Sequence, residues 1–415
     1  MAMRFPRLPF FLATITLLTL SPAGLAQHRP AAGWPGLWGP GRDGVATVTS
    51  AAPRGVKQMW RRPVAGGYSE VVIADDRVYT MEMRDGADYV VAMDARTGSE
   101  HWRSSIGPTY RGHEGSHDGP ISTPAVQGSD VFALGPNGHL VGLDAKTGKE
   151  LWRHDLVKEF NAVAPAYGFA SSPLIEGQLV YVPTGGEKSP GLLALDRRTG
   201  RLVWSAAPGQ NPSYASPIVG TLAGTRQVIS AAGDRIFAVT PDTGQLLWRV
   251  KGPGSGEGVA NPPIILPDDR VLLTFWTEAV LLKVARDGDA FTATELWRSP
   301  RLRSAYSPTI FRDGFLYGFS GPFLLCMEAA TGDIRWRQRL YEGTLVGMGP
   351  HLLVLSRASG NLHVVNATPA GFSEVFQAPV LTPGATSITG PSAAGNRVFL
   401  RNVEEIAAFT IEGER

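Results

Sequence analysis

The chain has 415 residues, 43% of them hydrophobic, and its 49 glycines and 32 prolines together far exceed the usual share of about 12%. This composition excludes a disordered or collagen-like chain and indicates a globular protein rich in turns. The 39 Lys and Arg residues nearly balance the 37 Asp and Glu residues, and the absence of a basic block argues against nucleic acid as a partner.

Residues 1–26 are typical of a secretory signal peptide. Arg4 and Arg7 precede an apolar stretch, Leu8–Leu20, and Gly24–Ala26 forms a small-x-small cleavage site. The apolar stretch of about 13 residues is too short for a transmembrane helix, which needs about 20. We therefore predict export to the periplasm or the extracellular space. The residue after the predicted cleavage site is Gln27 and not a cysteine, so we expect no lipid anchor there.

The next segment, residues 27–55, contains a compact sequence rich in tryptophan and glycine, Trp34–Gly44. We expect this extension to cover part of the folded domain. Its tryptophans could instead be exposed and contact a partner, as aromatic residues do at interface hot spots. The sequence leaves both interpretations open.

A repeat organises the rest of the chain, residues 56–415. The segment Val90–Trp102 returns as Leu140–Trp152, and each copy is typical of a strand, a Thr-Gly turn and a second strand with a tryptophan. Two more short apolar runs precede each hairpin, so each unit has four strands. The units end about 40 to 50 residues apart, a period typical of β-propellers. The repeat-end aromatics are Trp60, Trp102, Trp152, Trp204, Trp248, Trp297, Trp336 and Phe376.

These eight repeat ends predict an all-β fold, an eight-bladed β-propeller of four-stranded antiparallel blades. The last unit stops before a tryptophan strand, whereas Trp60 has no hairpin before it. We therefore predict that the strand Val56–Arg61 completes the C-terminal blade and closes the ring without an open sheet edge. A helical solenoid would show apolar spacings of three and four residues, which are not visible here.

Several repeated residues have a structural interpretation. The tryptophans are expected to pack between neighbouring blades. Six positions before the turn glycine stands a small residue, such as Ala92, and Cys326 occupies the same slot, which predicts inert packing. The aspartate four positions before that glycine, such as Asp144, is expected to cap turn amides. Ser-Pro and Thr-Pro pairs, such as Ser172-Pro173, recur in register and are interpreted as repeat geometry.

The unit Ala-x-Asp-x-x-Thr-Gly-x-x-x-Trp resembles the tryptophan-docking repeat of the pyrroloquinoline quinone-like (PQQ-like) propellers. The resemblance implies a family that holds both quinoprotein alcohol dehydrogenases and non-catalytic envelope scaffolds of the BamB type. Such a dehydrogenase would hold its quinone between a tryptophan and a disulfide of adjacent cysteines, beside a calcium ion. The single Cys326 excludes that disulfide, although some relatives lack it.

Segments that enter the first strand of each blade should converge on the central channel, where a ring fold usually binds its ligand. We expect a ligand or partner to contact the following rim residues: Tyr68, Glu70, Arg111, His113, Glu114, His117, Asp118, Tyr167, Tyr214, Glu257, Asn261, Arg303 and Tyr306. His113, His117 and Asp118 are also a candidate metal site, but their glycine-rich surroundings favour a solvated loop.

The main interpretation is an exported, monomeric, non-catalytic scaffold of the BamB type that binds an envelope protein or a ligand and requires no cofactor. The alternative is an oxidoreductase that binds pyrroloquinoline quinone with calcium, or a metal, in the channel. Its ligands or base would come from Glu70, His113, His117, Asp118, Glu257 and Asn261. A third possibility, an enzyme acting on envelope polysaccharide, would need two carboxylates facing each other across the channel.

Overall fold

The computed structural model of the protein describes residues 33–47, 52–252, 261–304 and 306–413, together with Met1. Within these ranges the chain forms eight β-sheets and one helix of five residues. The predicted signal peptide, apart from Met1, and Glu257 lie outside the described residues. Residues 32–415 form one compact unit.

The first half of the ring follows two leading strands. In chain order its elements are β1 (Val45–Ala46), β2 (Pro53–Pro63), β3 (Val72–Ala74), β4 (Arg77–Arg84), β5 (Ala87–Asp94), β6 (Glu100–Pro108), β7 (Ala125–Gln127), β8 (Asp130–Leu134), β9 (His139–Asp144), β10 (Glu150–Asp155), α1 (Leu156–Phe160), β11 (Leu174–Glu176), β12 (Leu179–Pro183), β13 (Leu192–Asp196), β14 (Leu202–Ala206), β15 (Ile218–Leu222), β16 (Thr225–Ala232), β17 (Arg235–Val239) and β18 (Leu246–Lys251).

The second half continues the same pattern. Its strands are β19 (Ile264–Leu266), β20 (Arg270–Thr274), β21 (Ala279–Asp287), β22 (Ala290–Ser299), β23 (Ile310–Arg312), β24 (Phe315–Ser320), β25 (Phe323–Glu328), β26 (Ile334–Arg339), β27 (Gly343–Met348), β28 (His351–Ser356), β29 (Asn361–Asn366), β30 (Glu374–Pro379), β31 (Ser392–Ala394), β32 (Arg397–Arg401) and β33 (Glu405–Gly413).

The eight sheets of the described chain are the blades of a β-propeller, which confirms the predicted fold class. Blades I to VII run from β3 to β30 in groups of four consecutive antiparallel strands, and blade VIII consists of β31, β32, β33 and β2. Blade VII departs from the expected pattern because β1 adds a fifth strand. It pairs in parallel with β27, so that Val45 lies opposite Gly347.

Inner and outer strands of a blade differ in burial, which explains why apolar residues are continuous in the first and scattered among polar ones in the second. Every residue of β8 is buried, because neighbouring blades cover both faces of a central strand. In the outermost strand of the same blade, β10, only Trp152 is fully buried. The tryptophan of each outer strand is therefore its contact with the ring.

The ring closes as predicted, by pairing of β2 with β33. The closing strand is longer than expected: it spans Pro53–Pro63, and Trp60 lies opposite Ala408 after a bulge. A buried arginine of β32, Arg401, adds a second connection between blade VIII and blade I. Its guanidinium donates hydrogen bonds to Met81 O at 2.7 Å and to Gly66 O at 2.7 Å.

The repeat-end tryptophans join each blade to the next. The Trp102 indole Nε1–H donates to Ala145 O at 3.1 Å, and a Cβ on Gly148 would lie only 2.5 Å from the Trp102 ring. The same bond links Trp60 to Ala95, Trp152 to Arg197, Trp204 to Pro241, Trp297 to Ala329 and Trp336 to Thr368. Trp248 instead donates to Gln227 within its own blade, and the following blade V has a longer hairpin in place of the Thr-Gly turn.

The small residue of each unit lies directly across from the tryptophan. Ala92 pairs with Trp102, and Cys326 pairs with Trp336. Cys326 is fully buried, and burial raises the pKa of its thiol to about 11, which agrees with the expected inert packing. The turn aspartates cap amides as expected: the Asp144 carboxylate accepts bonds from the Thr147 N–H and hydroxyl.

The N-terminal segment, residues 33–47, lies across the inner strands of the ring, and we call it the plug segment. Trp34 and Ile73 of blade I exchange both backbone hydrogen bonds, and Gly347 N–H of blade VII donates to Gly44 O at 2.8 Å. Trp34 and Trp38 are almost completely buried, at 0% and 3% exposure. The alternative that these tryptophans are exposed to grip a partner is therefore wrong.

Candidate functional site

A cavity of about 500 Å³ opens at the centre of one face of the ring. We call this the rim face, because the segments that lead into the first strand of each blade lie on it. The loops between the second and third strands of a blade end on the same face, since neighbouring strands are antiparallel. Six aromatic side chains line the cavity: Trp38, Tyr68, Tyr167, Tyr214, Trp276 and Tyr306.

The plug segment forms the floor of this cavity through Leu37 and Trp38. Arg42 anchors the segment on the far side of the floor. Its guanidinium donates to Pro217 O at 3.0 Å and to Pro173 O, in blades IV and III. A second cavity, of about 410 Å³ and lined in part by Gly36 and Arg42, lies on that side. The plug segment thus separates two openings of the ring.

A row of hydroxyl groups holds the inner ends of the first four blades together. Glu70 N–H donates to Thr123 Oγ1 at 3.0 Å, and Thr123 N–H donates to Ser172 Oγ at 2.8 Å. Ser172 N–H in turn donates to Ser216 Oγ at 2.8 Å. These contacts explain the recurrence of Thr-Pro and Ser-Pro in register, because each hydroxyl accepts an amide from the preceding blade.

Glu70 is a buried carboxylate at the base of the cavity, with 3% exposure. Burial raises its pKa to about 7, although the Trp38 N–H bond at 3.2 Å and the charge of Arg42 act in the opposite direction. Burial also lowers the pKa of Arg42 to about 10, opposed by the charge of Glu70. The two buried charges therefore attract each other, and the bond from Trp38 N–H to Glu70 links the plug segment to the residues in front of blade I.

The aromatic side chains contact one another around the mouth of the cavity. Trp276 and Tyr306 meet edge to face with ring centroids 5.0 Å apart, and the Tyr167 and Tyr214 rings are 6.2 Å apart. The Arg357 guanidinium lies 5.8 Å from the Tyr306 ring centroid. Trp276 and Tyr306 are 49% and 43% exposed, which places large apolar surfaces in contact with solvent.

The loop that carries the two predicted histidines folds back onto this rim. On one side the loop contacts Tyr167. The Tyr167 ring lies 5.3 Å from the His113 ring, and its hydroxyl donates to the Glu114 carboxylate at 3.3 Å. On the other side, His117 N–H donates to the Tyr68 hydroxyl at 2.9 Å. The loop therefore connects the segments in front of blades I and III across the mouth.

The candidate metal ligands of this loop have other partners. Asp118 accepts bonds from Arg111 Nη1 at 2.6 Å and from Gly112 N–H at 2.9 Å. His117 Nε2 lies 3.3 Å from the Thr386 hydroxyl. Across the described ranges, no group of three or more His, Cys, Asp or Glu side chains could hold a metal ion. The metal site that the sequence allows thus has no complete ligand set there.

About half of the rim residues predicted from the sequence line the cavity. They are Tyr68, Glu70, Glu114, Tyr167, Tyr214, Asn261 and Tyr306. Arg111, His113, His117, Asp118 and Arg303 lie outside its lining, although both histidines touch lining tyrosines. The sequence reasoning missed Trp38, Trp276 and Arg357. The last two lie in loops between second and third strands, and the antiparallel order of the blades would have placed them on this face.

The described lining offers few partners to the carboxylates of pyrroloquinoline quinone. This quinone is a planar tricarboxylate, and the lining offers one guanidinium, Arg357, which already pairs with Glu342 at 3.2 Å. The only cysteine is buried inside blade VI, so no disulfide can cover the quinone.

A family model described as outer membrane protein assembly factor BamB matches residues 86–318, more than half of the chain. The chain belongs to this PQQ-like propeller family. It is 25% identical over 366 residues to the outer membrane protein assembly factor BamB of Burkholderia pseudomallei (strain K96243), a match that covers 83% of this chain and 85% of that protein. The predicted resemblance is thereby confirmed.

Solved structures of the PQQ-like propeller family share the fold at low sequence identity. BamB from Moraxella catarrhalis has a TM-score of 0.63 and 18% identity, covering 87% of this chain and 99% of that one. Quinohemoprotein alcohol dehydrogenase from Comamonas testosteroni has a TM-score of 0.68 and 15% identity, covering 92% and 81%. Similarity at this level concerns architecture, and the fold accommodates both scaffolds and enzymes.

Proposed function

We propose that this protein is a non-catalytic scaffold of the BamB type that binds a protein partner in the cell envelope through its rim face. The observation that carries the proposal is the exposure of aromatic side chains on that face. Trp276, Tyr306 and Tyr341 are 49%, 43% and 63% exposed. Tryptophan and tyrosine contribute most of the binding energy at many protein interfaces.

Family membership supports a protein partner, because the relative covering 83% of this chain is named as an assembly factor of the outer membrane. The secretory signal predicted for residues 1–26 supports export to the envelope. No helix within the described ranges is long and apolar enough to cross a bilayer.

Site-specific photocrosslinking in the native host tests the proposal. A benzophenone amino acid is placed at Tyr341 or Arg303, which are exposed on the rim face outside the cavity. Matched controls carry it at Val203 or Leu296, which are 52% and 51% exposed on outer strands. We expect a discrete crosslinked partner from the rim positions alone. Equal crosslinking from the outer strands, or none from the rim, would contradict the proposal.

Reversing the charge of Glu114 tests whether the rim carboxylate contributes to partner binding. The Glu114 side chain is 72% exposed. Glu70 is unsuitable because reversing a buried charge would disturb the fold itself. We expect Glu114→Lys to weaken recovery of the partner, whereas Glu412→Lys, an exposed carboxylate at the end of β33 on the opposite face of the ring, leaves it unchanged.

A quinoprotein-type oxidoreductase is the second candidate, supported by the cavity on the axis of the ring and its buried carboxylate, Glu70. Calorimetric titration with pyrroloquinoline quinone, with and without calcium, tests it. Saturable one-to-one binding that depends on calcium would favour the enzyme over the scaffold. Absence of heat up to about 1 mM quinone would count against it.

A further inference from the structure

The wall of the central cavity is unusually rich in aromatic rings from distant parts of the chain. Trp38 comes from the plug segment, Trp276 from blade V, and the tyrosines from four segments between blades. Tyr68, Tyr167 and Tyr306 all line this cavity, and the Tyr306 ring also contacts the Trp276 ring edge to face. The rings therefore line one cavity that is open to solvent at its mouth.

The charged groups of the described wall are mostly acidic. Glu70 lies at the base and Glu114 at the mouth, and Arg357 is the cation of this lining. Arg357 is already engaged by Glu342 and by the face of Tyr306. Glu70 faces the buried Arg42, whereas Glu114 is exposed at the mouth. An anionic ligand would meet Glu114 and an engaged guanidinium, whereas a cationic ligand would meet Glu114 and the aromatic faces.

Several neutral hydrogen-bonding groups of the wall hold the blades together. Asn261 Nδ2 donates to Thr274 Oγ1 at 3.0 Å and to Ser304 O at 2.8 Å. The hydroxyl oxygens of Ser172 and Ser216 accept amides from neighbouring blades. A saccharide needs many such groups for its hydroxyls, so the wall offers it few partners.

We propose that the central cavity binds a small organic cation, an alkylammonium group surrounded by aromatic rings and carboxylates. Aromatic cages of this kind recognise quaternary ammonium groups through cation–π attraction. A volume of about 500 Å³ is within the range of small-molecule sites. This ligand site goes beyond the proposed scaffold function. The two share Trp276, Tyr306 and Glu114 at the mouth, but the photocrosslinking positions Tyr341 and Arg303 lie outside the lining, so the two proposals are tested separately.

Calorimetric titration of the full protein with choline tests the proposal. The matched probe is 3,3-dimethylbutan-1-ol, which has the same shape without the charge. We expect choline to bind at least about tenfold more tightly than this neutral probe. Replacing an aromatic wall residue, Trp276→Ala, should weaken choline about tenfold, and Glu114→Gln severalfold. Tyr341→Ala and Glu187→Gln, which change exposed groups outside the lining, should leave binding unchanged.

Proton release provides a second readout that does not need a variant. The groups facing Glu70 are Arg42, the Trp34 side chain and the Trp38 N–H from the plug segment, and the Gly390 N–H before blade VIII. A bound cation favours the ionised carboxylate, so choline should release protons near pH 7. The release appears as a dependence of the binding heat on the ionisation enthalpy of the buffer.

Three results would overturn the proposal. Equal affinity for choline and the neutral alcohol would identify a merely apolar cavity. Binding of cellobiose without binding of choline would identify a saccharide site, and binding of pyrroloquinoline quinone in place of choline would identify an anion site. Each result leaves the photocrosslinking outcome on the rim unaffected, so the two proposals fail separately.

Discussion

Arg401 should be among the most important side chains for the stability of the ring. It is 1% exposed, and its guanidinium donates to Thr80 Oγ1 and Met81 O at 2.7 Å, to Gly66 O at 2.7 Å and to Gly67 O at 3.2 Å. All four acceptors belong to blade I or to the segment leading into it. Arg401 itself lies in blade VIII, at the other end of the chain.

Arg401→Met keeps the length of the side chain and removes every donor. Each acceptor that stays buried without a partner costs about 1–3 kcal/mol. The substitution also removes the cost of burying a charged guanidinium, which offsets part of this loss of stability. That cost is visible in the pKa of Arg401, which burial lowers to about 10. We expect a net loss of about 3–5 kcal/mol in the free energy of unfolding, as for other broken buried charge contacts.

Urea unfolding followed by tryptophan fluorescence measures this loss, and limited proteolysis reports whether the ring opens between blades VIII and I. The matched control is Arg397→Met, which replaces a half-buried arginine of the same strand. A loss below about 1 kcal/mol for Arg401→Met, or an equal loss for Arg397→Met, would refute this reasoning.

Three further predictions follow from local contacts. Hydrogen bonds from the Thr147 hydroxyl and N–H lower the pKa of Asp144 below its unfolded value of 3.8. The carboxylate therefore stabilises the fold above pH 3.8, and this stabilisation is lost as the pH falls through the lower folded pKa. Thermal unfolding between pH 6 and pH 2.5 should show a smaller loss of stability in acid for Asp144→Asn than for the unchanged protein. Cys326, with a pKa near 11, should react with Ellman's reagent at pH 8 only after denaturation, and fast labelling of the folded protein would contradict its burial. Trp38→Ala should cost about 3–5 kcal/mol in urea unfolding, because it empties a buried site in the floor of the cavity; a loss under about 1 kcal/mol would mean that the plug segment is loosely held.

The fold could be predicted because its determinants are local and repeated. The turn glycine, the small residue and the tryptophan of each unit, such as Gly148, Gly142 and Trp152, lie within a few residues of one another. The number of units predicts eight blades. Trp60 has no hairpin before it, which predicts that its strand completes the last blade and closes the ring. Helix α1 could not be foreseen, because five residues capped by Asp155 and Asn161 produce no amphipathic period.

The candidate site could be predicted only in part. Tyr68, Tyr167 and Tyr306 were found because the repeat fixes where the segments before the blades lie. Trp38 was missed because it comes from outside the repeat, and only the folded ring shows where the plug segment lies. Arg357 was missed because its loop contains no sequence signature. Side chains that reach a site from loops of variable length leave no period in the sequence.

The plug segment also constrains the order in which the molecule can assemble. Residues 34–46 are made before any blade, yet Val45 and Ala46 pair with Gly347 and Met348, which are made some 300 residues later. The earliest part of the domain to be synthesised can therefore reach its final position only when seven of the eight blades are available. Until then the site that buries Trp34 and Trp38 is incomplete, so the plug segment docks late in folding.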